Sequence, residues 1–249
     1  MDVSVEFHDP KDFSLLALQG NGAVGALSPL VEGVDLTSLY FMQTARGTVN
    51  GIPVRITRCG YTGEDGFEIA VPSDCARTVA DALLRSKAGN VRLAGLGARD
   101  SLRLEAGLCL YGVDLDHTTT PVEAGLTWLI AKRRREEADF PGASVILKQI
   151  RDGPARKRVG LTPLERGPPA RANTAIYAQG QEDGDPVGHV TSGSPSPTLN
   201  TAVAMGYVRT PYAKIGTEVR LLVRDKYMRH KVARMPFVPT QYYSAPKPT

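Results

Sequence analysis

Cysteine is scarce in this 249-residue chain: Cys59, Cys75 and Cys109 are the three present, and no two stand in C-x-x-C spacing. An odd, scattered set supports neither a disulfide framework nor a cysteine zinc site, and it suits a reducing compartment. Histidine is equally thin. His8, His117, His189 and His230 lie far apart with no partner at ligand spacing, so no metal is expected. No run of 18 apolar residues occurs, which removes a membrane-spanning helix from consideration. The opening MDVSVEFHDPKD holds Asp2, Glu6, Asp9 and Asp12 and lacks an apolar stretch, so it reads as neither a signal peptide nor an Arg-rich transit peptide. A dominant charge is missing too: 30 Lys and Arg against 26 Asp and Glu leave a net charge of +4, and nucleic acid is not an expected partner. The one concentrated basic run, Lys132 to Arg135, is followed at once by Glu136 and Glu137; it reads as a solvated helix end with compensating charges, the alternative being a docking patch. What remains is 42% hydrophobic and 22% charged, a globular composition with material for one large or two modest cores.

Periodicity organises the chain. Ser14 to Gln19 reads as a buried strand ended by Gly20, and Gly22 to Leu27 as a short helix. Val54 and Ile56 alternate with Arg55 and Thr57, and Phe67-Glu68-Ile69-Ala70-Val71 alternates likewise, so Gly60 to Gly66 is the connection of a hairpin, with Gly63 and Gly66 free to take positive φ. Apolar residues at helical spacing predict helices over Asp74 to Leu84 and Leu96 to Leu104, the second stopped by Gly107. Thr119 to Glu123 carries a helix-start signal ahead of Leu126, Trp128, Leu129 and Ile130. Beyond Asp152-Gly153-Pro154 the texture changes to short β-like runs at Arg158, Ala175, Val187, Thr201, Glu218 and Lys231, the cadence of an all-β sandwich or barrel. A domain boundary is therefore placed near residue 150. Within the β region, Thr191 to Thr198 reads as a loop and lacks the spacing of a phosphate-binding P-loop.

One carboxylate stands out. Alternation places Glu68 on the face opposite Phe67 and Ile69, beside the small Gly66 and Ala70. A carboxylate in such a recess is paired, and the alternatives are a heterocycle with two adjacent N–H donors or a guanidinium from the helix bearing Arg99 and Arg103, with an ordinary ion-paired hairpin glutamate as the structural option. Tyr242 and Tyr243 suit either aromatic lids over a planar ligand or simple packing. Arg58 beside Cys59 is expected to lower the thiol pKa, yet no histidine or G-x-S-x-G context completes a nucleophilic triad.

Over RCGYTGEDGFEI (Arg58 to Ile69) and AGLGARDSLRLEAG (Ala94 to Gly107) the chain resembles the aminomethyltransferases, the T-proteins of the glycine cleavage system. The likeness continues through Thr119 to Trp128, Asp139 to Ala143, Val190 to Pro197, Ala204 to Val208 and Met235 to Tyr243, and the Glu105 to Gly112 stretch with the Tyr242-Tyr243 ending is similar to the eukaryotic mitochondrial type. The resemblance implies an α+β fold class: a partial folate-binding α/β domain at 1–150, then a C-terminal antiparallel β-barrel domain at 151–249. It implies transfer of the one-carbon unit of an aminomethyl group, carried on the lipoyl arm of H-protein, to tetrahydrofolate with release of ammonia. Tetrahydrofolate would be the co-substrate, lipoylated H-protein the partner, and the mitochondrial matrix the location. Glu68, Arg99 and Tyr242 stand at its folate-binding positions; Trp128 either lines the pocket or packs in the core. Pterin offers an amino group beside a ring N–H, a donor pair that one carboxylate accepts together.

The chain departs from the family pattern at its start. Family members carry a further segment there, including half of the folate domain and an Asp that assists proton transfer, with no counterpart in Met1 to Asp12. No catalytic residue is therefore assigned, and two readings stand: an aminomethyltransferase, or a catalytically impaired folate-binding or interaction protein. Without that segment, strand edges and apolar surface of the first domain are expected to be open.

Overall fold

The computed structural model describes residues 3–5, 7–9 and 11–246; Asp2 and Glu6 of the acidic opening lie outside the described residues. Packing divides the chain into two compact units, one running to Arg99 and including the tail from Thr240, the other spanning Asp100–Pro239.

The first unit is built on a five-stranded antiparallel sheet in the order β1-β5-β4-β3-β2. Its strands are β1 (Phe13–Gln19), β2 (Val31–Glu32), β3 (Thr44–Val49), β4 (Ile52–Thr57) and β5 (Gly66–Pro72). Asn50-Gly51 joins β3 to β4 as a two-residue turn, with φ of 51° and 75° and Val49 opposite Ile52. This Asn-Gly pair takes the left-handed conformation that a tight hairpin demands. Helices α1 (Ala23–Leu27) and α2 (Ala76–Arg85) lie at the positions that spacing predicts. Leu18, Ile56, Phe67, Ile69 and Val71 point to one side of the sheet and share a core with Leu27, Val79 and Leu83.

Alternation leaves the other side to Leu15, Ala17, Arg55, Thr57, Glu68 and Ala70. The strand expected to be buried at Ser14 to Gln19 is therefore buried on one face alone: β1 is a sheet edge, and Leu15 is 62% exposed. Sequence periodicity cannot tell a strand with two covered faces from an edge strand with one.

The second unit is built on a closed antiparallel barrel in the order β10-β11-β6-β9-β8-β7, one of the two forms that the C-terminal cadence allows and the one that the resemblance implies. Its strands are β6 (Arg156–Pro163), β7 (Ala175–Ala178), β8 (Gly188–Ser196), β9 (Thr201–Arg209), β10 (Glu218–Val223) and β11 (Lys226–Ala233). Closure removes the edges that an open sheet would present. Val159, Leu161, Ile176, Val190, Val219, Leu221 and Val232 fill the interior. β9 is buried on both faces, because Val203 and Met205 on its outer side pack against Leu104, Met235 and Phe237.

Two sequence expectations are corrected here. Thr191 to Ser196 is strand, not loop: this stretch continues β8 through a register shift between Val190 and Ser192. The signal at Thr119 to Glu123 does not launch a helix. Thr120 and Glu123 do form the reciprocal bonds of a capping box, at 3.3 and 3.1 Å. The chain then breaks at Gly125 (φ 70°) into a single short 3-10 turn, Thr127–Leu129. Helices α3 (Leu96–Glu105), α4 (Lys132–Glu137) and α5 (Ala143–Asp152) precede the barrel.

Candidate functional site

β5 carries Glu68 onto the open face of the first unit's sheet. Its cross-strand neighbours are Ala17 on β1 and Thr57 on β4, and Gly66 and Ala70 flank it along the strand. Small side chains on all four sides leave the carboxylate half-buried and reachable. Among the described residues it makes no ion pair; it accepts a proton bond from the Cys59 thiol. Burial pushes the Cys59 thiol up, and that bond adds to the effect, to a pKa of about 11. The expected activation of Cys59 by Arg58 is thus reversed. The Arg58 guanidinium turns away from the thiol, toward Asp65 and the carbonyls of Leu36 and Leu39.

Arg99 is an exposed residue of α3, and its guanidinium lies 4.8 Å from the ring centroid of Tyr61. Such stacking keeps the cationic edge open to a ligand. The alternative in which Arg103 forks onto Glu68 is not realised: Arg103 donates to Asp100 at 2.8 Å and to Asp114 at 2.6 Å inside the second unit.

Tyr242 is half-buried, its ring stacked on Phe41 with centroids 4.1 Å apart and planes 16° apart. Burial raises its hydroxyl pKa. Tyr242 was placed by sequence in the barrel domain; packing sets it with the first unit instead. The tail is tied there by Gln241 N–H donating to the Gly63 carbonyl and Phe41 N–H donating to the Tyr243 carbonyl, each at 2.8 Å.

The turn between β4 and β5 is common to all three. Tyr61 holds Arg99, Gly63 holds the residue before Tyr242, and Gly66 opens the strand that delivers Glu68. Its conformation is forced: Gly63 sits at φ 79°, as expected. Gly66 does not take positive φ; it is required because a Cβ there would lie 2.5 Å from the Leu18 carbonyl oxygen. Gln19 plugs the turn from β1, donating to the Cys59 carbonyl at 3.0 Å and accepting from Thr62 at 3.1 Å.

Trp128 belongs to the second unit and is 73% exposed, so it is not a core residue. The basic run on α4 is locally matched: Lys132 faces Glu136 at 3.7 Å, Arg133 pairs with Glu137, Arg134 with Asp139, and Arg135 donates to the Ile130 and Thr127 carbonyls. This favours a solvated helix end over a docking patch. Among the described residues no three His, Cys, Asp or Glu side chains converge on a point, and no helix is long and apolar enough to cross a membrane.

Sequence reasoning missed two buried polar clusters in the second unit. Asp114 accepts from Arg103, Ser192 and the Leu110 N–H, at 2.6, 2.8 and 2.9 Å, and from Thr191. Glu105 accepts from Ser196 and from the hydroxyl and N–H of Thr198. The signal was present in TSGSPSPT, whose uncharged hydroxyls are what buried carboxylates need.

A mixed sheet-and-helix unit with a reachable carboxylate on its open face, followed by a closed antiparallel barrel, defines a two-part α+β protein. Residues 2–134 match the GCVT N-terminal domain, and residues 156–239 match the glycine cleavage T-protein C-terminal barrel domain. The chain belongs to the glycine cleavage T-protein family. It is 53% identical over 245 residues to the mitochondrial aminomethyltransferase of Mesembryanthemum crystallinum, covering 98% of this chain and 58% of that relative. It is 51% identical over 238 residues to the Gallus gallus protein of the same name, covering 92% and 59%. The crystal structure of the glycine cleavage system aminomethyltransferase T from Bartonella henselae superposes with a TM-score of 0.83 at 44% identity, over 93% of this chain and 61% of that one. The chain thus spans somewhat under two thirds of the length of these relatives.

Proposed function

We propose that this chain binds tetrahydrofolate and takes part in aminomethyl transfer: the one-carbon unit on the lipoyl arm of H-protein passes to the folate, and ammonia leaves. Glu68 accepts the amino group and adjacent ring N–H of the pterin together, Arg99 serves a folate carbonyl or carboxylate, and Tyr242 covers the ring. The observation that carries this reading is the turn Gly60 to Asp65: Tyr61 stacks on Arg99, the Gly63 carbonyl accepts from Gln241 beside Tyr242, and the strand bearing Glu68 starts directly after it, all within one compact unit. The folate-binding role is assigned to the part before residue 150 together with the tail from Thr240. Residues 151–239 supply the barrel. No residue of this chain is assigned to proton transfer. Lipoylated H-protein is the proposed partner and the mitochondrial matrix the proposed location, in keeping with the mitochondrial relatives.

Calorimetric titration of the purified chain with tetrahydrofolate tests the reading. Removing the charged hydrogen-bond acceptor in Glu68→Ala should weaken binding by about 1.5–3 kcal/mol. An affinity unchanged by that substitution removes Glu68 from the site.

A further inference from the structure

Arg58 is withdrawn from water, with 3% of its side chain exposed. A buried guanidinium needs partners for its charge and its donors. Its contacts supply them. Nε and Nη2 grip Asp65 as a fork, at 2.9 and 2.5 Å. Nη1 donates to the carbonyls of Leu36 and Leu39 at 2.7 and 2.9 Å. The flat face of the group lies 4.0 Å from the ring centroid of Tyr243. Four donor directions are thus used on the loop at 36–39 and the turn ending at Asp65, and the guanidinium meets the Tyr243 ring of the C-terminal tail and, at 5.1 Å, the buried Phe67 ring of β5.

Each segment is tied to the others as well. The Tyr243 hydroxyl donates to the Thr37 carbonyl at 3.0 Å, and the Tyr243 ring stacks on Tyr40 at 5.3 Å. Asp65 turns its other lone pair to the Gly66 N–H at 2.9 Å, at the root of the strand bearing Glu68. Tyr242, one residue before Tyr243, stacks on Phe41, one residue after Tyr40. The result is an aromatic ladder of two rungs whose inner end rests on Arg58.

We propose that Arg58 is a positioning residue: it straps the C-terminal tail to the turn and thereby sets the place of the Tyr242 ring relative to Glu68. The proposal rests on the folate reading for what the strap serves, and on the contacts alone for the strap itself. A lysine in the same place keeps the charge but offers neither the planar fork that spans Asp65 and the two carbonyls nor the flat face that meets Tyr243. Tyr243→Leu removes the π partner and the Thr37 bond while leaving the fork on Asp65.

Amide hydrogen exchange on the full chain separates strap from fold. In Arg58→Lys and in Tyr243→Leu, the N–H groups of Phe41 and Gln241 should exchange at least tenfold faster, while that of Val232 in the barrel, which donates to Thr217, keeps its wild-type rate. Unchanged protection of Phe41 and Gln241 in both variants overturns the proposal. If Arg58→Lys unfolds the first unit, Tyr243→Leu decides by the same two amides. Tetrahydrofolate titration adds the second arm: the losses caused by Arg58→Lys and Tyr242→Ala should fail to add in the double variant, because the first acts through the second. Additive losses overturn the positioning role. A wild-type chain that binds no folate overturns the proposed function, and the exchange arm still decides the strap.

Discussion

Arg103 donates to Asp114 at 2.6 Å with 3% and 0% of the two side chains exposed. Inside the second unit the pair is completed by Thr191, Ser192 and the Leu110 N–H on the acid, and by Asp100 and the Leu108 carbonyl on the base. Every partner is satisfied, so the cluster is costly to break from one side. Asp114→Ala takes from the guanidinium its buried carboxylate, leaving the half-exposed Asp100 as its counter-charge, and should destabilise the protein by up to about 3 kcal/mol in urea unfolding. Replacing both residues by leucine or methionine should recover much of that loss, since it removes the under-compensated buried charge.

His230 should make the barrel acid-sensitive. It is buried on β11 with its Nδ1 at 3.1 Å from the Met228 carbonyl, and burial holds its pKa below the ordinary 6.5, opposed by that carbonyl and then by Glu165. Above about pH 6.5 both folded and unfolded chains carry a neutral imidazole, and the stability is fully present. As pH falls through that value the unfolded chain takes up a proton that the folded chain refuses, so stability declines by up to about 1.4 kcal/mol per pH unit from this one group. Urea midpoints at pH 7.5 and 5.5 should diverge more in wild type than in His230→Phe; equal divergence would assign the acid sensitivity elsewhere.

Two glycines should respond in opposite directions. Gly66→Ala places a Cβ 2.5 Å from the Leu18 carbonyl oxygen, a clash with backbone that only a shift of β5 can relieve. A drop in melting temperature is expected, together with weakened folate binding through displacement of Glu68. Gly97, in α3, faces open space with an ordinary helical φ. Gly97→Ala should leave the fold intact and stabilise it by up to about 1 kcal/mol.

Cys59 should be a slow thiol. With a pKa of about 11 it is almost wholly protonated at pH 8, and its proton is directed at Glu68. Mass-spectrometric alkylation should label it sluggishly. In Glu68→Gln the thiol loses the carboxylate that raises its pKa while remaining partly buried, so labelling should accelerate without reaching the rate of a free thiol. An unaltered rate would mean that burial alone governs it.

The free edge at β1 should promote self-association. Leu15 projects from it with most of its surface in water, and Phe13 beside it is nearly half exposed. Leu15→Lys removes little buried contact, so stability in urea unfolding should stay within about 0.5 kcal/mol of wild type. Light scattering at high protein concentration should fall.

The local elements were legible because their causes are local. Alternation marked β4 and β5, the 3.6 period marked α2 and α3, and the glycines of Gly60 to Gly66 marked the connection of β4 to β5, each within a window of a dozen residues. Expectations failed where a distant surface decides. Thr191 to Ser196 reads as loop on composition, yet it continues as strand because Asp114 and Glu105, some 80 to 90 positions away, consume its hydroxyls. The helix-start signal at Thr119 to Glu123 does correspond to reciprocal Thr120 and Glu123 bonds, but the chain breaks at Gly125 and no helix follows. Arg58 looked like an activator of its neighbour Cys59. Sequence adjacency put them together, and the fold pointed the guanidinium the other way.

By itself, the sequence determined the mixed α and β organisation, the barrel cadence after residue 150, and the face of β5 on which Glu68 stands, since side-chain alternation along a strand follows from backbone geometry alone. The tertiary structure decided where Tyr242 goes. Gln241, Tyr242 and Tyr243 return to the first unit through single hydrogen bonds and ring contacts with residues some 180 to 200 positions earlier, and no local pattern encodes contacts formed at that separation.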